Sequence, residues 1–113
     1  MLETSLLTIE DRVALLVNAL APERDHQPVV KLFTPDGSAT WLLTECDADQ
    51  PDVLFGLADL GFGCPELGFM SLSEILQVRG SLGLPVERDM HFVADKPLSA
   101  YAAEARIRGR IVA

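Results

Sequence analysis

Ile9, Val13, Leu16, Val17 and Leu20 recur at steps of three and four, the spacing of one helix face, and predict an amphipathic helix over residues 9–20. Thr8 and Asp11 stand where a capping box would open it, with Asp in place of the usual Glu, and Pro22 closes it. The polar stretch Pro22–Pro28 then reads as a flexible connection. Two β-rich runs follow, Val29–Phe33 and Ala39–Glu45. Between them, Thr34-Pro35-Asp36-Gly37-Ser38 offers a proline that presets φ and a glycine that accepts positive φ, so the runs form a hairpin. Val53–Leu60 is apolar at nearly every position, which fits a strand covered on both faces or a short helix capped by Asp52. Gly61-Phe62-Gly63-Cys64-Pro65 is a turn, and Glu66–Met70 returns as the next strand of a meander.

Ser71-Leu72-Ser73-Glu74 has the capping-box pattern. It predicts a second helix with Leu72, Ile75, Leu76 and Leu82 on its inner side, stopped by Gly83 and Pro85. Val86–Val93 reads as a short strand. Pro97, Leu98 and Ser99 open a third, alanine-rich helix that Gly109 ends. This order implies an α+β fold: an antiparallel meander of about four strands, a short fifth strand and three helices. At 113 residues the chain makes one domain, with an N-terminal helix and linker over 1–28 and an α+β body over 29–113.

Charge sharpens the picture more than composition does. The formal net charge is −8, and residues 32–78 hold eight acids and no base, whereas 79–113 hold six bases and four acids. An acidic surface from the middle segment repels phosphates, so direct nucleic-acid binding through it is disfavoured. Arg106, Arg108 and Arg110 form the one basic patch, placed where they oppose the dipole of the third helix. The first twenty residues carry Glu3, Glu10 and Asp11 without a basic leader region, and no apolar run approaches a membrane span. Cys46 and Cys64 lack metal-ligand spacing. The expectation is a soluble cytoplasmic protein with reduced thiols, no membrane association, no cofactor and no metal.

Two constellations could carry chemistry. The segment FGLADLGFGCPELGF, Phe55–Phe69, has four glycines, but no lysine stands between Lys31 and Lys96, and Glu66 occupies the place of a dinucleotide loop's third glycine. Gly56 and Gly68 then mark bulges or close backbone approach, and Gly61 and Gly63 supply turn geometry. Asp59 and Glu66 face solvent, accept hydrogen bonds from the turn, or act as paired carboxylates on a proton or a cation. In the second constellation, a strand over Val86–Val93 places Glu87, Asp89 and His91 on one face. There they would ligate a metal or relay a proton in a small hydrolase, or simply meet water opposite Val86, Met90 and Phe92. Arg88 shares the apolar parity.

LFTPDGSATWLLTE, FGLADLGFGCPELGF, SLSEI, GLPVERDMHF and KPLSAYA, read in this order, resemble a family of bacterial domains of unknown function associated with plasmids and integrative elements. The match runs over about Val29 to Arg108. The resemblance implies a cytoplasmic accessory protein of mobile DNA, of a kind found near or joined to antirestriction-type proteins, and it brings no catalytic residues. Together with the acidity it implies a non-catalytic protein-binding module, in one form a DNA mimic. Glu45, Asp47, Asp49, Asp52, Asp59 and Glu66 would then occupy a basic groove on a protein partner, which requires them ordered on one convex face. Pairing of exposed apolar surface with a second copy of the chain is a further option.

Overall fold

Thr40–Cys46 is apolar toward both sides, and it lies at the centre of the sheet as β2. The computed structural model describes residues 6–113; the start of the predicted unit 1–28, residues 1–5, lies outside them. With β1 (Val30–Phe33), β3 (Val53–Asp59), β4 (Glu66–Ser71) and β5 (Glu87–Arg88), β2 forms one antiparallel sheet in the order β4-β3-β2-β1-β5. The first four strands are the expected meander, and the short fifth returns to the far edge beside β1. The apolar run after Asp52 is therefore strand, not helix.

Helices α1 (Ile9–Ala19) and α2 (Leu72–Ile75) cover one face of the sheet, and α3 (Leu98–Arg108) covers the other. Alternation along β2 splits the core accordingly. Trp41 and Leu43 pack with Leu15, Leu32, Leu54 and Ile75, whereas Leu42 packs with Leu57, Leu98, Tyr101 and Ala105. A bulge between Leu43 and Glu45 then shifts the parity, so that Cys46 joins the α1-side core and Glu45 pairs with Phe55. Opposite the bulge, Gly56 is obligatory, because a Cβ there would lie 2.0 Å from the Leu42 carbonyl oxygen. Gly68, its register partner on β4, meets nothing within 4 Å. Of these two strand glycines, only Gly56 marks the expected close approach.

The local signals at α1 and α3 hold. Thr8 and Asp11 form the reciprocal capping box, and Gly109 at φ 74° ends α3. Three elements differ from expectation. The apolar stripe of α1 points outward: Ile9 is 78% and Leu20 83% exposed, while Asp11 and Leu15 turn inward. The second helix is a single turn, and Leu82 is exposed. Asp36 explains this, since its carboxylate accepts the N–H groups of Leu82 and Leu84 at 2.7 and 3.1 Å and holds residues 80–84 as a loop. Ser71 caps Glu74, but the second carboxylate of that cap is Asp52, which accepts the Ser73 N–H at 2.8 Å. Finally, β5 stops at Arg88 because Asp89 turns the chain, its Oδ1 accepting the His91 N–H at 2.9 Å.

The Pro22–Pro28 stretch is a strap between the two layers. Asp25 accepts hydrogen bonds from the Ser99 N–H and hydroxyl at the start of α3, and the His26 carbonyl accepts the Leu98 N–H at 2.9 Å. The His26 ring in turn bonds the Ala21 carbonyl, just past α1, at 2.8 Å.

Candidate functional site

The glycine-rich turn after β3 is built around Asp59. Its side chain is buried at 2% exposure, and each oxygen has a main-chain donor: Gly61 N–H at 2.9 Å on Oδ1 and Ile111 N–H at 2.9 Å on Oδ2. Gly61 and Gly63 adopt φ of 90° and 83°, which L side chains avoid. The turn thus binds its own carboxylate and the segment beyond α3. Glu66 is exposed and lies across from Ala58 on β4. Asp59 on β3 sits three strands from β5 and Glu66 on β4 sits four, about 14 and 19 Å at ordinary strand spacing, so neither converges with Glu87, Asp89 and His91.

The six acids considered for a phosphate-like face are divided. Asp47, Asp49 and Asp52 gather in the β2–β3 loop, where Asp47 Oδ1 accepts the Asp49 and Gln50 N–H groups. Asp52 is held by Ser71 and Ser73, whose hydroxyls pull its carboxyl below the ordinary range. Glu45 is half-buried, and burial raises its carboxyl. Asp59 and Glu66 belong to the opposite end of β3, some six residues or about 20 Å away.

At the other edge, Asp89 and His91 line a groove of about 450 Å³ between the β5 turn and α3, with Phe92, Asp95, Lys96, Tyr101 and Glu104. Glu87 is exposed on β5, beside Phe33, and is not among the lining residues. Two of the three side-chain carboxylates of the groove, Asp89 and Glu104, are paired with lysines. Asp89 Oδ2 lies 3.3 Å from Lys31 Nζ, and Lys96 Nζ donates to Glu104 Oε1 at 2.8 Å while sitting 4.6 Å above the Tyr101 ring. Tyr101 donates its hydroxyl to Asp95 Oδ1 at 3.0 Å. The His91 N–H and then Lys31 hold the Asp89 carboxyl low; Glu104 raises the Lys96 ammonium; desolvation raises the Tyr101 phenol. Each of these shifts favours the state already held at neutral pH, the opposite of what a general base or acid poised to exchange protons needs. Among the described residues, no three His, Cys, Asp or Glu side chains are grouped to hold a metal ion.

The features that sequence reading missed lie on α1 and β5. Arg88 turns inward from β5 and pairs with Asp11 through both guanidinium nitrogens, its Nη2 donating to Asp11 Oδ1 at 3.0 Å and Nη1 also donating to the Leu6 carbonyl at 3.0 Å. Burial works to raise the Asp11 carboxyl, but Arg88 and Thr8 together hold it below the ordinary range. The one available signal was the parity of Arg88 with Val86. This ion pair fixes which side of α1 meets the sheet, assisted by Asn18, whose Nδ2 donates to the Thr44 carbonyl at 2.9 Å. Ile9, Val13, Leu16, Val17 and Leu20 are left as a continuous outward stripe.

Among the described residues no helix is long and apolar enough to cross a membrane. No curated protein and no solved structure matches the chain. A family model described as a protein of unknown function, DUF2958, matches residues 6–112, and the chain belongs to that family.

Proposed function

We propose that the domain is a non-catalytic protein-binding module that meets its partner through the outer face of α1. The observation that carries this reading is the stripe itself. Val13 and Val17 are more than half exposed and Ile9 and Leu20 more than three-quarters, on a helix whose inner face is fixed by the ion pair of buried Asp11 with half-buried Arg88. Contiguous exposed apolar surface of this kind marks interaction sites, and apolar residues at i, i+4, i+7 and i+11 are how a helix is read by a groove or by another helix. The paired charges of the β5–α3 groove support the non-catalytic part. A setting in bacterial mobile DNA rests on the resemblance of the quoted segments. Phosphate mimicry by the acids is the weaker form of the reading, because Asp59 is spent inside the turn and Glu66 lies at the far end of β3 from the acidic loop.

The test is capture from the native bacterium with the tagged chain and with a Val13→Glu/Val17→Glu variant of matched stability. A specific protein retained by the wild type and lost by the variant is expected; identical capture by both overturns the reading. The second reading, chemistry at Asp89 and His91, is favoured only by the groove's volume. A calorimetric titration with zinc, manganese and magnesium that gives no heat removes its metal-dependent form.

A further inference from the structure

We propose that β4 is a self-association edge, on which a second copy of this chain adds its own β4 antiparallel and continues the sheet across a two-fold axis at Gly68. This surface is separate from the α1 stripe, and the inference stands or falls independently of it.

The ladder first shows which main-chain groups are free. On one side of β3 the Asp47 N–H donates to the Val53 carbonyl, and on the other the Leu72 N–H donates to the Asp52 carbonyl. Hydrogen-bonded pairs alternate in an antiparallel ladder, so Leu54/Met70, Gly56/Gly68 and Ala58/Glu66 are the bonded pairs between β3 and β4. Leu67 and Phe69 therefore direct both their N–H and their C=O away from β3. Among the described residues no strand lies beyond β4 to receive them. The same two residues carry exposed apolar side chains, Phe69 at 75%, and both project to the α3 side of the sheet, where the Phe69 ring stands edge-on to Phe55 at 5.1 Å.

The strand is self-complementary about its own centre. A two-fold at Gly68 sets Leu67 opposite Phe69 of the second copy as a hydrogen-bonded pair, and the symmetry repeats it, giving four main-chain hydrogen bonds from the groups left free. Each Phe69 ring then lies beside the other copy's Leu67. Gly68 meets Gly68 as a non-bonded pair, the closest approach of two strands, at a position whose missing side chain nothing within this chain accounts for. Charge fits the same register. Glu66 is the one charged residue of β4, and it falls opposite Met70, about 13 Å along the strand from its own copy. The devices that usually blunt an exposed edge, an inner lysine, a proline or a bulge, are missing between Glu66 and Ser71.

Sedimentation velocity on the full chain across the micromolar range tests the proposal. A concentration-dependent dimer is expected. Leu67→Pro removes an outward N–H without touching the β3 ladder, and Phe69→Lys places a charge on the edge; each should weaken the dimer by about tenfold or more. Val13→Glu/Val17→Glu should leave it unchanged. In a Cys64→Ser background, mild oxidation of Gly68→Cys should give a covalent dimer on a non-reducing gel, and Ser73→Cys should not. A wild type that stays monomeric at all concentrations overturns the proposal. So does a dimer that withstands Phe69→Lys, or one lost in the α1 variant.

Discussion

At one edge of the sheet β5 is two residues long, its arginine is drawn inward onto Asp11, and the chain turns away at Asp89, which is tied to Lys31. At the other edge β4 runs for six residues with one charge and free main-chain groups at Leu67 and Phe69. The first edge is closed by the protein's own side chains, and the second is left as a template. An edge strand is a hazard that folds usually suppress, and suppression at one end only is the pattern that the proposed β4 pairing requires. The contrast also separates two kinds of residue. Those at the β5 edge hold the fold together, whereas those at the β4 edge contribute little to the single chain.

Substitutions can break this contrast. The largest effect belongs to the glycine pair that joins the sheet interior to its edge. Gly56→Ala forces a Cβ onto the Leu42 carbonyl and should cost about 3 kcal/mol or more in urea unfolding. Gly68→Ala enters open space and should leave the single chain about 0.5 kcal/mol more stable. Equal losses at the two positions would remove the distinction between interior and edge.

Next comes the closed edge itself. Arg88→Ala leaves the buried Asp11 carboxylate without its partner and should cost about 2–3 kcal/mol, below the full value for a buried pair because the guanidinium is one-fifth exposed. The pH dependence follows from the lowered Asp11 carboxyl. Its contribution is complete above the ordinary carboxylate value and is lost as pH falls through the lower folded value. Asp11→Asn should therefore flatten the acid limb of a stability–pH profile, and an unchanged limb would show that other carboxylates control it. Smallest of all, Asp89→Asn at the half-buried Lys31 pair and Phe69→Lys at the bare edge should each shift single-chain stability by about 1 kcal/mol or less. A larger loss at Phe69 would make β4 a structural edge rather than an open one.

Much of this fold is legible along the chain where the signal is local. The Pro35-Asp36-Gly37 hairpin, the Thr8–Asp11 capping box and the Gly109 stop each rest on neighbouring residues, and each appears where its chemistry requires. What escaped depends on distant partners. The periodicity of α1 defines an apolar stripe but not the side of the helix that meets the sheet. That choice is made by Arg88, 77 residues away from Asp11. The second helix shrinks to one turn because Asp36, remote in sequence, captures Leu82 and Leu84. The bulge at Thr44 exchanges the two faces of β2 and moves Cys46 to the α1-side core, on the side where strict alternation would place Glu45. At the candidate site, Asp89 and His91 do line one groove, but a turn sets them there rather than the face of a strand, and Glu87 stays outside it.

The strap from Pro22 to Pro28 has a consequence for how the molecule opens. The two halves of the core lie on opposite faces of the sheet, yet the end of α1 and the first turn of α3 are bonded through one residue, His26, with Asp25 beside it holding Ser99. Lifting the end of α1 pulls on the residue whose carbonyl accepts the Leu98 N–H. The two layers should therefore open as a single cooperative unit, and amide exchange at Leu98 and Ser99 should follow the lifting of α1 on the far side of the sheet.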